Sequence, residues 1–470
     1  MREEILDVMA ERYPSTPMVA IWSQRNKVIM ERRFWIAVLR HQKDLGLSIS
    51  NNAISAYEEV VERVDLDSIA KRETVTRQDV KARIEEFNAL AGYELIHEGF
   101  TSRDLTDNIE QMQIYNSLLL VRDHAVALLS RLGEKASEYA TLDICGRSHN
   151  VPGQTTILGK RVANSAQEML IAFDLLEYVI QSYPLRGIKG AMGTQQDMAD
   201  LLENKSLALK LEMQVMRTLS PLVVLDSVGQ VYPRSLDFMV LSVLLQLASG
   251  PANFAKSIRL MAGHELVHEG FKEGQTASTA MPHKINSRTC ERVSGFVQVL
   301  AGYLRMTEGL LGDQWNEGDV SCSVPRRVAL SSAFFAIDGL MESIMTVLDE
   351  MQVFPGMIKA ELEHYLPFLS TTRILMAMVK KGVGRETAHT LIKRHAIAAV
   401  DAIRKGEPNS FERRLLEDPE FPLNAEELWA ITKDANHGLA PRHVEMICMK
   451  ITELEKRYPE AAKYNPEPIL

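Results

Sequence analysis

Two stretches of the chain repeat the same apolar step pattern, and that pattern limits the folds open to it. Ile114, Leu118, Val121, Ala125, Leu128 and Leu132 advance by alternating steps of four and three. Val162, Ala166, Met169, Phe173, Leu176 and Ile180 do the same. Steps of this kind put one apolar stripe on one face of a long helix. The segment from Leu236 to Leu247 is apolar on nearly every side, which predicts a helix with neighbours all round, some of them from other subunits. Ala, Leu, Met and Glu outnumber the β-branched and aromatic residues that favour strands, and aromatics make up only 6%. The expected architecture is therefore all-α, with long antiparallel helices in a bundle.

At 470 residues the chain has room for several cores. Breaks near residue 112 and near 365 divide it into an N-terminal helical domain (1–112), a central long-helix bundle (113–365) and a C-terminal helical domain (366–470). A charged, Pro-marked stretch from Glu407 to Pro422 reads as a solvated connection. Net charge is −9, so no broad basic field draws nucleic acid or an anionic membrane, and any anion must be held by a local cluster. Cys145, Cys290, Cys322 and Cys448 lie far apart with no CxxC spacing, which suits a reducing compartment. The opening MREEILDVMAERYPS has no signal-peptide core. The longest nearly apolar run, Phe238 to Ala248, is short for a membrane span. A soluble, cytoplasmic protein is expected.

Two features invite over-reading. AGYELIHEGF (91–100) and AGHELVHEGF (262–271) match closely, but the match stops at once on the C-terminal side, so shared helix-end composition is preferred to duplication. The second copy contains His264, Glu265 and His268 in the HExxH spacing of zinc peptidases. With no third ligand at a fitting distance, a solvated helix face is expected there and no metal.

Three polar loops stand out against the helical background. IHEGFTSRDLTDN holds His97, Thr101, Ser102 and Asp104. GRSHNVPGQTTILGKR holds His149. TASTAMPHKIN holds Ser278, Lys284 and Asn286. Together they supply an imidazole, a hydroxyl and an ammonium, the parts needed to move a proton and support developing negative charge. STAMPHKIN is similar to the S-S-x-M-P-x-K-x-N signature of the fumarase/aspartase superfamily. SHNVPGQTTILGKR resembles its T-H-x-x-P-x-Q-x-T-x-L-G-K segment. HEGFTSRDLTDN resembles the H-x-G-x-T-S-x-D-x-x-D-N segment of the adenylosuccinate lyase branch, and ERYPSTPMVAIWS and GAMGT fit as well.

The resemblance implies a homotetramer whose bundles form a joint core, with sites built from three subunits and no metal or organic cofactor. It implies small-molecule substrates: adenylosuccinate, cleaved to AMP and fumarate, and succinylaminoimidazole carboxamide ribotide (SAICAR), cleaved in parallel. By the same resemblance Ser278 is the base on a closing loop, and Lys284 and Asn286 steady the intermediate's carboxylate. His149 is then the acid for the departing nitrogen. Arg12, Tyr13, His97, Thr101, Ser102, Asp104 and Gln230 fall on substrate contacts. Ser323, Arg327 and Arg373 fall on phosphate contacts, where a planar guanidinium fork is apt. The chain departs from the pattern at Gln78, where many relatives have a titratable His, at Ala277 and Thr279 in the signature, and at Gly318, where several have Arg. Argininosuccinate lyase or another fumarate-releasing relative, and a retired helical scaffold, are the rival readings.

Overall fold

The computed structural model describes residues 7–271, 281 and 284–468. Its centre is a bundle of long helices: Ser102–Glu138, Leu158–Ser182, Ser235–Leu247, Ser249–Ala262, Arg288–Glu308 and Ser323–Glu350. Both predicted stripes are buried along their whole length and share one core. The helix Ser323–Glu350 is enclosed by its neighbours because small residues line it. At Gly339 an added Cβ would sit 2.8 Å from the Tyr13 carbonyl oxygen, so only glycine admits the N-terminal segment there.

Two stretches, Ser235–Ala262 and Ser323–Glu350, are long and apolar enough to cross a membrane, which corrects the expectation drawn from Phe238–Ala248. Helix continues beyond Ala248. Of their most apolar windows, 56% and 89% respectively is buried inside the protein.

A second core joins Gln24–Asp44, Asn51–Glu59 and Asp79–Ala91, around Phe34, Trp35, Tyr57 and Phe87. A third lies around Ile374, Met378, Leu391, Phe411 and Leu428. Packing departs from division by chain order in two places. Leu211, Val215 and Met216 of Lys205–Leu219 belong to the second core, although they fall within 113–365. Val444, Ile447, Ile451 and Leu454 of Ala440–Arg457 return to the central bundle, although they fall within 366–470. An amphipathic stripe records that a face must be buried, but not against which core.

Two small antiparallel pairs interrupt the helices. Val267–His268 pairs with Gln352–Val353, so the HExxH segment is not the helix face expected from its spacing. The preceding helix stops at Ala262, Glu265 has φ 59°, and His268 Nδ1 accepts from Gly270 N at 3.1 Å. Both copies of the AGxELxHEGF segment follow a helix end and carry a glycine at positive φ, 72° at Gly99 and 111° at Gly270. Between those points the backbones differ, with positive φ at Gly92 and His97 in the first copy and at Glu265 in the second, so the two segments are not one repeated turn.

Midway along the helices Ser102–Glu138 and Ser323–Glu350 lies a buried polar knot. His124 Nδ1 lies 2.7 Å from Asp338 and 3.5 Å from Glu342. Ser15 N donates to Asp338, Glu467 N donates to Glu342, and the Tyr464 ring stacks on His124. The knot thus fastens both ends of the described chain to the bundle. Burial pushes the Glu342 carboxyl from 4.5 up to about 7, against the pull of His124. Burial alone would lower His124, yet Asp338 and Glu342 raise it. Both shifts let the folded chain hold more protons than the unfolded chain, so stability falls as pH rises through this window. Glu342→Gln keeps an acceptor for Glu467 N and removes one titration. Its melting temperature therefore declines less than the wild type's between about pH 5 and 8, as calorimetry at matched ionic strength would show.

Candidate active site

Two helices begin at the same cleft. Gln78 caps Asp79–Ala91 by accepting from Lys81 N at 2.6 Å, and its amide donates to Ser102 Oγ at 2.9 Å. Ser102 opens the 37-residue helix that runs to Glu138. The two N-termini, with Thr101 and Ser102, line a cleft of about 560 Å3 whose other walls include Lys27, Arg103, Glu110, Gln230, Ser323 and Arg327. Unsatisfied N–H groups and the helix dipole favour an anion at such a point.

Asp104 fixes this geometry from beneath. It is fully buried. Its Oδ2 accepts from Thr101 N at 2.9 Å, while Oδ1 accepts from Lys189 N and Gly190 N, both at 2.9 Å, and pairs with Arg186. Both oxygens are thus engaged by the protein and the side chain is fully buried, so Asp104 positions the loop and does not face the cleft within this chain. That corrects the role its motif implied.

The adjacent arginines in VPRRV divide their work, because neighbours on a helix point about 100° apart. Arg326 turns inward and is buried, bonding Asp237 at 2.7 Å and Glu110 at 2.6 Å, with Tyr232 beside it. Burial alone would raise Glu110, but Arg326, with Lys27 and Arg234, holds its carboxyl below the ordinary value. Arg327 turns to the cleft. Arg103 bridges Ser323 Oγ at 3.3 Å and Asp107 at 3.1 Å. Lys27, Arg103, Glu110 and Arg326 were not singled out from sequence. The doubled Arg was the only signal, and it did not say which one faces in.

The hydrogen-bonded segment at 143–157 is a β-hairpin, not the loop its polarity implied. Asp143–Ser148 pairs with Val151–Ile157, and Ser148 faces Val151. His149 and Asn150 form its two-residue tip at φ 53° and 59°, the left-handed pair such tight turns use. The tip is exposed, so His149 stands clear of its own chain. Several bonds clamp the hairpin to the C-terminal region: Gln154 to Thr372 Oγ1 at 2.8 Å, Thr155 Oγ1 to Asn436 O at 2.5 Å, and Arg147 to Glu361.

Thr101, Ser102, Gln230, Ser323 and Arg327 share the cleft. Lys284 lines a different one with Glu265, His268 and Phe354. Asn286 lies close by, just before Arg288–Glu308, and Ser278 lies outside the described residues. Arg12 is exposed at the end of a short helix, and Tyr13 packs edge-on to Phe296 at 5.1 Å. Arg373 donates to the carbonyls of Ile431 and Asp434 at 2.6 and 2.9 Å, which makes it a brace of the C-terminal region. His97 packs against Trp35 and Phe100, and Trp35 Nε1 donates to its Nδ1 at 3.2 Å. Burial pushes its pKa down to about 4, so it is a neutral ring with its proton on Nε2 at pH 7. Gly318, where several relatives have Arg, sits at φ 146° with Gln230 against it, a place hostile to any side chain.

The chain is similar to known proteins in sequence and in fold. A family profile described as "Lyase" matches residues 11–302, and one for the adenylosuccinate lyase C-terminus matches residues 367–447. In fold, the chain is similar to a 3-carboxy-cis,cis-muconate lactonizing enzyme from Pseudomonas putida (TM-score 0.81, 18% identity, covering 95% of this chain and 99% of that one). It is likewise similar to a fumarate lyase from Mesorhizobium sp. BNC1 (TM-score 0.79, 18% identity, 95% and 100%). This is an all-α lyase. At the level of sequence it is 33% identical to the adenylosuccinate lyase of Saccharomyces cerevisiae over 454 residues, spanning 94% of this chain and 93% of that protein. It is 30% identical to that of Schistosoma mansoni, spanning 89% and 88%. The chain belongs to the adenylosuccinate lyase family.

Proposed function

We propose that this lyase eliminates fumarate from adenylosuccinate, leaving AMP, and from SAICAR, leaving the corresponding carboxamide ribotide. The observation that carries the reading is the cleft at Thr101 and Ser102, where two helix N-termini and the cations Lys27 and Arg327 face one space. A succinylated nucleotide is an anion at both ends, and this cleft offers positive potential without a metal. In the reaction, a proton leaves the carbon next to a carboxylate, and the intermediate's extra charge requires fixed cationic support before the C–N bond breaks. Ser278 takes the proton, Lys284 and Asn286 support the intermediate, and His149 protonates the departing nitrogen. Thr101, Ser102 and Gln230 hold the succinyl part, and Ser323 and Arg327 hold the phosphate. Arg12, Tyr13 and His97 complete the walls.

Among the described residues, Ser102 and Lys284 line separate clefts and His149 stands at an exposed tip. The reading therefore includes a homotetramer, in which neighbouring chains bring the exposed His149 tip and the Lys284 cleft to the Ser102 cleft. Ile171, Leu175 and Tyr178 support it. They lie exposed at 60%, 40% and 65% on one face of Leu158–Ser182, an apolar stripe that a second bundle would cover. A cytoplasmic location and independence from metal or organic cofactors belong to the same proposal.

The test is fumarate release by purified protein from adenylosuccinate, SAICAR and argininosuccinate. The first two are cleaved and the third is not; cleavage of argininosuccinate alone would overturn the assignment. Arg327→Met raises KM at least about tenfold with a smaller change in kcat, since a lost charged hydrogen bond is worth about 1.5–3 kcal/mol.

A further inference from the structure

Behind the hairpin that carries His149 lies a small cavity of about 130 Å3, bounded by Arg147, Asn150, Arg161, Ser257 and His264. Its electrostatics are unbalanced. Arg147 bonds Glu361 and the Asn150 carbonyl, while its Nε is buried with no acceptor among the described residues. Among the described residues, Arg161 bonds only the Cys145 carbonyl, at 2.9 Å. Burial and then the like charge of Arg147 hold Arg161 below its usual value, and Glu361 opposes them only in part. Two guanidinium groups thus share one carboxylate. The last turn of Ser249–Ala262 also borders the cavity, but its terminal carbonyls are occupied: Arg259 O accepts from Gly263 N, Met261 O from His264 N and Leu266 N. They do not neutralise the pair.

We propose that this cavity binds a small tetrahedral oxyanion of the phosphate type, held between Arg147 and Arg161. A space of about 130 Å3 has room for a small ion with a few waters. The unpartnered Nε of Arg147 and the fork of Arg161 can both donate to phosphate oxygens, and Asn150 and Ser257 border the same cavity. An occupant would bridge Arg147 on the hairpin to Arg161 on the long helix behind it, stiffening the support of the His149 tip. The site itself stands whether or not His149 acts as the acid.

Thermal unfolding of the assembled protein tests this, with phosphate compared against chloride at equal ionic strength. Saturating AMP is present throughout so that nucleotide sites take up no phosphate. Phosphate raises the wild-type melting temperature by a few degrees. Arg161→Met retains the packed stem, melts no lower than wild type in chloride because a repulsion is gone, and gains nothing from phosphate. An equal gain in both proteins, or none in the wild type, overturns the site. Wild-type crystals grown with selenate give a second test independent of folding. An anomalous peak between Arg147 and Arg161 is expected, and a selenate-free cavity would sink the proposal.

Discussion

His149→Gln lowers kcat for adenylosuccinate by about 10²–10⁴-fold, the usual scale for losing a general acid, while the melting temperature stays near that of wild type. The two outcomes separate because of where the residue sits. His149 is exposed at the tip of a tight turn, so its ring contributes little to packing. Its left-handed backbone is shared with Asn150 and is tolerated by Gln less well than by Asn, at a cost of about 1 kcal/mol or less. Ser278→Ala gives a loss of similar size. Mixing the two inactive proteins under conditions that exchange subunits restores part of the activity, because a site assembled from different chains then receives an intact His149 and an intact Ser278. Near-normal turnover in His149→Gln removes it from the mechanism. Failure of the mixture to recover would place both groups in one chain's contribution and remove the shared-site arrangement.

The parts of this molecule that were legible in sequence are those governed by local periodicity. Residues 114–132 and 162–180 announce their helices because a 3.6-residue repeat leaves one apolar face. The hairpin was hidden, since GRSHNVPGQTT is polar on both faces and is stabilised by the side chains of Glu361 and Thr372 and the backbone of Asn436, more than two hundred residues away. The motif at 97–108 pointed to this loop but could not rank its residues. Ser102 opens to the cleft, whereas Asp104, two positions on, turns inward to Arg186. Arg326 and Arg327 show the same limit, as identical neighbours with opposite surroundings. Sequence identifies which groups are present; packing decides which of them keep a free valence for a ligand.

That division gives the largest expected stability effect. Arg186 and Asp104 are both fully buried, and Arg186 also donates to the carbonyls of Gly190 and Gly229 at 2.9 and 3.0 Å. One guanidinium therefore ties the start of the helix at Ser102 to the strand of chain that presents Gln230, the two walls of the cleft. Arg186→Met retains the stem but leaves the Asp104 charge in the core with only backbone donors, and removes the guanidinium from the Gly190 and Gly229 carbonyls. Breaking a buried pair on one side costs about 3–5 kcal/mol. By contrast, Arg33→Met removes an ion pair with Glu62 in which both side chains are more than half exposed, and exposed pairs contribute about 1 kcal/mol or less. Urea unfolding of the two variants separates these cases. Arg186→Met also lowers kcat/KM more than Arg33→Met does, since both cleft walls shift. Arg186→Lys recovers only part of the loss, because a point charge cannot span Asp104 and two carbonyls at once. A cost under about 1 kcal/mol for Arg186→Met would mean that the backbone amides at Thr101, Lys189 and Gly190 hold Asp104 unaided, and that the cleft does not depend on this ion pair for its shape.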